Sequence, residues 1–378
     1  MNNIIYLDNA ATTKVDKEVL ETYNKVSTTF FANTSSIHSL GYKNNDLLEK
    51  ARASILSNLN LKDDELIFTS GATESNNLAI KGYALKHKNR GNHIIVSSIE
   101  HPSVLECAKQ LESEFGFNVT YLPVKEDGKI DINTLKEAIR KETILVSIMS
   151  VNNETGVIEP IEEIASLLKG YNNIVFHVDA VQSIGKVDIN LKDVDMITLT
   201  SHKINGLKGI GALIKKKNIS LLSLNTGGGQ ENNLRSGTYD LANIVSFAKA
   251  IDIAIKNQKS RYMYVKNLSD ILYEYFLTNK DEYHLNSNKE NPYIVNVSLL
   301  NKKASVIVEG LSSSGVMVSS ISACHSKGEP FSYVVMEMSH NEKLARNTLR
   351  ISLSHENTKE EIEEFIAKLT KFNKEIRQ

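Results

Sequence analysis

Ile174-Val-Phe-His-Val178 runs into Asp179, and Asp195-Met-Ile-Thr-Leu-Thr200 runs into Ser201-His202-Lys203. Both are short apolar stretches rich in β-branched residues, the length and composition of buried strands. Each delivers ionisable side chains at its carboxyl end, and Gln182 follows closely on Asp179. The same arrangement recurs toward the N-terminus. Leu66–Thr69 leads to Ser70-Gly71-Ala72-Thr73, His93–Ser97 to Glu100-His101-Pro102, and Ile144–Ser150 to Asn152-Asn153-Glu154-Thr155-Gly156. Asn118–Leu122 is a further candidate strand. Helical patterns lie between: Ile161, Ile164, Ala165 and Leu168 keep helical spacing, with Gly170 as a stop. Strands alternating with helices predict a mainly parallel sheet covered on both faces. In such sheets ligands bind outside the carboxyl ends of the strands. Five strand ends therefore bring polar or ionisable groups to one sheet edge.

Further along, Leu241 to Thr278 reads as mostly helical. The remainder holds fewer strands (Tyr293–Leu299, Gly315–Ser320, Leu349–Leu353) mixed with helices. The last helix opens on a capping box, Thr358 with Glu361, and carries the apolar stripe Ile362, Phe365, Ile366, Leu369 and Phe372. The fold class is α/β: a large domain over residues 13–257, and a smaller α+β domain over 258–378 joined by the N-terminal segment 1–12.

Composition narrows the function. The 378 residues carry 44 basic and 45 acidic side chains, so no excess of positive charge points to nucleic acid or to an anionic membrane. The two cysteines, Cys107 and Cys324, match no metal spacing and no disulfide framework, which fits reduced thiols in a cytoplasm. The first residues lack a signal-peptide pattern, and no stretch is apolar enough to span a membrane. A cytoplasmic, soluble enzyme is the expectation.

The groups at the sheet edge suit one kind of cofactor. Ser70-Gly71-Ala72-Thr73 at a helix start offers N–H groups and hydroxyls to a phosphate, although such a turn is often only a turn. Lys203, just past a buried strand, is placed to have a lowered pKa and to form a Schiff base; the plain alternative is a surface lysine. Asp179 ends an apolar strand and needs a partner, such as a protonated pyridine nitrogen, or else caps a helix. His101 before Pro102 is an aromatic ring for stacking, or a turn residue.

Taken in order, these motifs carry a resemblance. Tyr6-Leu-Asp-Asn-Ala-Ala-Thr-Thr13, Phe68-Thr-Ser-Gly-Ala-Thr-Glu-Ser75, Glu100-His101-Pro102, Val151-Asn-Asn-Glu-Thr-Gly156, His177-Val-Asp-Ala-Val-Gln182, Ser201-His-Lys203, Gly227-Gly-Gly-Gln-Glu231, Arg235-Ser-Gly-Thr238, Ser322-Ala-Cys324 and Leu349-Arg-Ile-Ser352 span nearly the whole chain. The set resembles the class V aminotransferase group of fold-type I pyridoxal-phosphate enzymes, and within it the cysteine desulfurases of the NifS/IscS family. The resemblance implies pyridoxal 5'-phosphate as cofactor and Lys203 as its covalent anchor. It implies Asp179 at the ring nitrogen, His101 on the ring face, and Gln182 and Asn153 near the ring oxygen. Gly71, Ala72, Thr73, Thr200 and His202 are implied for the phosphate, with Thr238 lent to the neighbouring subunit of a homodimer. Arg350 and Asn153, with Asn33, are implied for substrate binding; Arg350 also lies on the polar side of an alternating strand, opposite Leu349, Ile351 and Leu353. No metal is implied.

Cys324 selects among reactions. The resemblance implies that it takes sulfur from L-cysteine as a persulfide, releasing L-alanine, and passes it to a protein acceptor: an iron–sulfur scaffold or a tRNA- or cofactor-thiolation enzyme. Cys107 sits in a helical pattern with Val104, Leu105 and Ala108 and reads as packing. The chain departs from the family pattern at Thr34, Leu207, Ile321 and His325. The rival readings are a selenocysteine lyase or another class V aminotransferase, which need no Cys324, and a catalytically inert scaffold, which the intact Lys203, Asp179, His101, Cys324 and Arg350 oppose.

Overall fold

The computed structural model describes residues 4–320 and 331–375. Strand β1 (Ile5–Tyr6) precedes helices α1 (Lys17–Thr29) and α2 (Ser39–Asn58). Strands and helices then alternate: β2 (Glu65–Thr69), α3 (Ala72–Lys86), β3 (His93–Ser97), α4 (Pro102–Phe115), β4 (Asn118–Leu122), α5 (Ile132–Ala138), β5 (Thr143–Ser147), α6 (Ile161–Leu168), β6 (Val175–Asp179), β7 (Met196–Thr200) and β8 (Gly211–Lys215). Strands β2 to β8 form a seven-stranded sheet in the order β2-β8-β7-β6-β5-β3-β4. Only β8 runs against its neighbours, antiparallel to both β2 and β7. The carboxyl ends of the other six strands therefore share one edge.

Side-chain alternation explains why both faces are covered. Ile67, Val96, Val175, Met196 and Leu213 face one way and pack with α3 and α4. Phe68, Ile95, Phe176, Ile197 and Ile214 face the other way and pack with α1, α2, α6 and the following long helix. That helix, α7 (Leu241–Thr278), starts at an Asp240 cap and spans its 38 residues unbroken, a length of about 57 Å. Its first half, from Leu241 to Ala254, packs on the large sheet. Its second half, from Val265 to Phe276, joins a separate apolar cluster.

This second cluster belongs to β9 (Tyr283–Leu285), β10 (Ile294–Leu299), α8 (Ala304–Ser313), β11 (Val316–Met317), β12 (Thr348–Ser352) and α11 (Lys359–Glu375), while α9 (Tyr333–Ser339) packs Val334 and Met338 on Ile99 and Val157 and leads into α10 (Glu342–Arg346). An antiparallel sheet, β12-β10-β9, lies at its centre. Strand β1 pairs with β11, and Ile5, Leu7 and Ala10 pack into the same cluster. The predicted capping box forms, with Glu361 N–H donating to Thr358 Oγ1 at 3.3 Å and Thr358 N–H to Glu361 Oε2 at 3.2 Å. Ile362, Phe365 and Leu369 of the predicted stripe are fully buried. Cys107 is buried as expected, its thiol donating to the Ser103 carbonyl.

Candidate active site

The sheet's carboxyl edge opens into a cavity of about 620 Å³. Gly71, Ala72, Thr73, His101, Asn153, Asp179, Gln182, Thr200, His202, Lys203 and Arg350 all line it. The sequence placed these residues on five strand ends and one distant strand; the fold brings them together. Two do not arrive. Asn33 is exposed and spends its Oδ1 on the N–H of Ser35 at 2.9 Å. Thr238 is also exposed and does not line the cavity. Cys324, with Ile321 and His325, lies outside the described residues.

Gly71 is the N-cap of α3 and supplies no side-chain cap. Its φ of +155° suits glycine. Gly211 on β8 makes the close approach possible, since a Cβ there would sit 2.8 Å from the Gly71 backbone. The first turn of α3 thus faces the cavity with its N–H groups and its positive dipole end. Glu74 secures the turn by accepting from Ser70 N–H at 2.6 Å and from Arg235 Nε at 2.8 Å.

Lys203 Nζ donates to the carbonyls of Ala10 at 2.6 Å and Ala11 at 2.7 Å. Burial, with Arg350 nearby, lowers its pKa to about 8, against the pull of Asp8 and Asp179. A minority of the amine, far larger than in an exposed lysine, is then free base near neutrality, the form that attacks a carbonyl. Burial and Lys203 push His202 down to about 4. Asp179 has both oxygens engaged: Oδ1 accepts from Val181 N–H at 3.0 Å and Oδ2 from Asn76 Nδ2 at 2.8 Å.

Glu100 and Asn152 tie the neighbouring loops to the sheet. Glu100 is fully buried, accepts from Met149 N–H at 2.7 Å, and has its pKa raised by burial. Asn152 donates to the Ile99 carbonyl at 3.0 Å and accepts from the N–H groups of Glu154 and Thr155, each at 2.9 Å. Beside it, Asn153 keeps a buried Oδ1 with no partner. Arg350, on β12, donates to the Asn153 carbonyl at 3.0 Å and to Asp8 at 2.9 Å. Its buried Nε has no partner.

These features fit pyridoxal phosphate. The uncapped helix start would receive a phosphate, Asp179 would meet a ring nitrogen, and Lys203 would reach the aldehyde carbon. The orphaned Asn153 Oδ1 and Arg350 Nε remain for ligand groups. The residues that sequence reasoning did not assign are Asp8, Asn76, Ser103 and Lys186. Asp8 lies inside a quoted motif, which was its only signal.

The aminotransferase class-V family model matches residues 5–365. A protein named cysteine desulfurase IscS from Clostridium botulinum is 40% identical over 384 residues, covering 100% of this chain and 96% of the relative. Among solved structures, a NifS-like protein superposes with a TM-score of 0.92 at 34% identity, over 99% of this chain and 100% of the other. A structure titled SspA in complex with cysteine gives a TM-score of 0.80 at 37% identity, over 94% of this chain and 100% of that one.

Proposed function

The chain belongs to the aminotransferase class-V family, and from that membership we propose its activity: it is a cysteine desulfurase that takes sulfur from L-cysteine. The convergence of Lys203, Asp179 and Arg350 on one cavity carries this reading. When bound, pyridoxal phosphate supplies an electron sink for charge developing at the substrate α-carbon.

The chain's own residues do the rest. Lys203 anchors the cofactor, and Asp179 holds the ring nitrogen protonated. Gln182 donates to the ring oxygen. Thr73, Thr200 and His202, with the N–H groups at Gly71 and Ala72, hold the phosphate. Arg350 grips the substrate carboxylate through its planar fork, already oriented by Asp8 and the Asn153 carbonyl. Arg350 and the largely protonated Lys203, with a partly charged Lys186 behind them, stand against Asp8 and Asp179, a balance that favours anionic ligands. The Cys324 thiolate attacks the substrate sulfur, and the carbon–sulfur bond breaks. L-cysteine and the thiol become L-alanine and a persulfide, with atoms and electrons balanced.

The wider reading is a homodimer that passes the persulfide sulfur to a protein acceptor, an iron–sulfur scaffold or a thiolation enzyme. Phe31, Ile37 and Tyr42 support the dimer: they cluster in sequence and are 77%, 88% and 65% exposed. Thr238, exposed on the surface, would reach the partner's phosphate. Asn33, in the same exposed segment as Phe31, would complete a site only in such a dimer. The division into residues 13–257 and 258–378 with 1–12 rests on the two apolar clusters that share α7. No helix among the described residues is long and apolar enough to cross a membrane, and we place the enzyme in the cytoplasm.

The test is alanine and sulfide formation from L-cysteine with a reductant, in wild type and Cys324→Ala. Loss in the variant, with cofactor absorbance retained, supports the persulfide route. Unchanged activity would point instead to a lyase or aminotransferase.

A further inference from the structure

We infer that Asn76 and Ser103 are positioning residues that hold the His101 ring in its Nε2–H tautomer, so that it presents a proton donor to the cavity. This rests on the reading of His101 as the ring that faces the cofactor.

One donor at the His101 ring cannot turn. Ser103 N–H points at His101 Nδ1 across 3.1 Å, as part of the N-cap of α4. A backbone N–H is a donor only, so Nδ1 must offer its lone pair. The second contact agrees. Ser103 Oγ lies 2.8 Å from the same Nδ1. Ser103 Oγ also accepts from Asn76 Nδ2 at 2.8 Å.

The orientation of Asn76 is fixed from its other side. Its Nδ2 lies 2.8 Å from Asp179 Oδ2. An ionised carboxylate only accepts, so the amide nitrogen, and not the oxygen, faces it. One amide hydrogen goes to Asp179 and the other to Ser103 Oγ. The Ser103 hydroxyl hydrogen is then left for His101 Nδ1. Asn76 is completely buried at the start of α3, under the sheet edge, and has little room to choose otherwise.

Two consequences follow. First, the neutral ring carries its proton on Nε2, the one nitrogen left for the cavity. The resting ring can give a proton there but cannot take one. Second, the chain from Asp179 to His101 is not a proton wire. Its polarity diverges at Asn76, which donates in both directions. The chain therefore locks geometry and tautomer without carrying charge. Protonating Nδ1 would set an N–H against the Ser103 N–H. Burial and Lys203 also oppose the imidazolium, while Asp179 favours it.

The test is ring ¹⁵N NMR of histidine-labelled holoenzyme without substrate, with the His101 signal assigned by its loss in His101→Asn. The expected pattern near neutrality is a protonated Nε2 and an unprotonated, hydrogen-bonded Nδ1. Removing the hydroxyl in Ser103→Ala takes one donor from Nδ1 and raises the ring's titration midpoint by roughly half to one pH unit. Ser103→Thr restores the wild-type midpoint. An Nδ1–H ring in the wild type, or an identical midpoint in Ser103→Ala, would overturn the inference. Neither result depends on whether L-cysteine is the substrate, because the desulfurase reading is decided separately by alanine formation.

Discussion

Lys186 Nζ lies 2.8 Å from Gln182 Oε1, and Gln182 Nε2 donates to the Ala10 carbonyl at 3.0 Å. An acceptor on one side and a donor on the other fix which way the Gln182 amide faces. One Nε2 hydrogen is left for the cavity. Lys186 therefore acts through Gln182, although it touches no ligand position itself. Burial, together with Lys203 and Arg350, lowers its pKa to about 7.

Lys186→Met leaves Gln182 Oε1 without its donor, a loss of about 1 kcal/mol or more. Affinity for pyridoxal phosphate should fall about fivefold or more, read by equilibrium dialysis. Removing a positive neighbour should also raise the pKa of Lys203, seen as an upward shift in the pH dependence of cofactor attachment. Unchanged affinity together with an unchanged pH profile would refute the positioning role.

Arg350 and Asp8 make the second pair. Arg350→Lys keeps a charge but loses the planar fork. KM for L-cysteine should rise tenfold or more, with kcat changed less. Asp8→Asn leaves the guanidinium intact but unanchored by charge, and should raise KM by a smaller factor. Steady-state kinetics on both variants checks this; a fall in kcat alone, at constant KM, would remove Arg350 from the substrate carboxylate.

The residues that sequence reading could reach are those at strand ends, because strand periodicity and the rule for parallel sheets locate them without coordinates. Strands β3 and β4 and helix α7 occupy the predicted residues. Strand β8 was not expected. It follows a glycine-rich run that reads as loop, and Ile214 is its only β-branched residue. The predicted strand Ile144–Ser150 ends at Ser147. Ile148 and Met149 stay buried past the ladder, so hydrophobicity alone does not mark where pairing stops. The supporting residues were out of reach for a different reason. Asp8 meets Arg350 across 342 positions, and Asn76 meets Asp179 across 103. Neither pair leaves a local pattern.

His177 is wholly buried in β6, with Nδ1 2.8 Å from Ser147 Oγ and Nε2 3.0 Å from Thr198 Oγ1. Burial pushes it from its ordinary 6.5 down to about 3. As pH falls through 6.5 the unfolded chain takes up this proton and the folded chain does not. The unfolded state then binds more protons, so stability is complete above that pH and declines below it. Glu154 and Glu159, raised to about 7 and about 8, act in the opposite direction. Their effect cancels when wild type is compared with His177→Gln. Between roughly pH 7 and 5, urea unfolding should show wild type losing about 2 kcal/mol more than the variant. Equal losses would mean that the ring is not held neutral.

Arg52 and Glu231 test what the Gly227–Glu231 motif is for. Arg52 Nη1 lies 2.7 Å from Glu231 Oε2, and both side chains are largely buried. The guanidinium also sits 5.0 Å over the Phe68 ring. Glu231, Asn232 and Asn233 all adopt positive φ, at +50°, +53° and +64°, a backbone that non-glycine residues hold only when surroundings impose it. The ion pair is that imposition, since it pins the turn to α2 and β2. Glu231→Ala would strand a buried guanidinium and should cost about 3–5 kcal/mol of stability. The exposed pair Lys17–Glu21, at 3.8 Å, is the control, and Lys17→Ala should cost less than about 1 kcal/mol. Denaturant unfolding of both variants distinguishes the cases. If Glu231→Ala unfolds like the control, the turn is held by its other bonds, such as Glu231 N–H to Tyr239 Oη at 2.9 Å. The motif would then owe its place to the neighbouring Arg235–Glu74 pair, and not to the core.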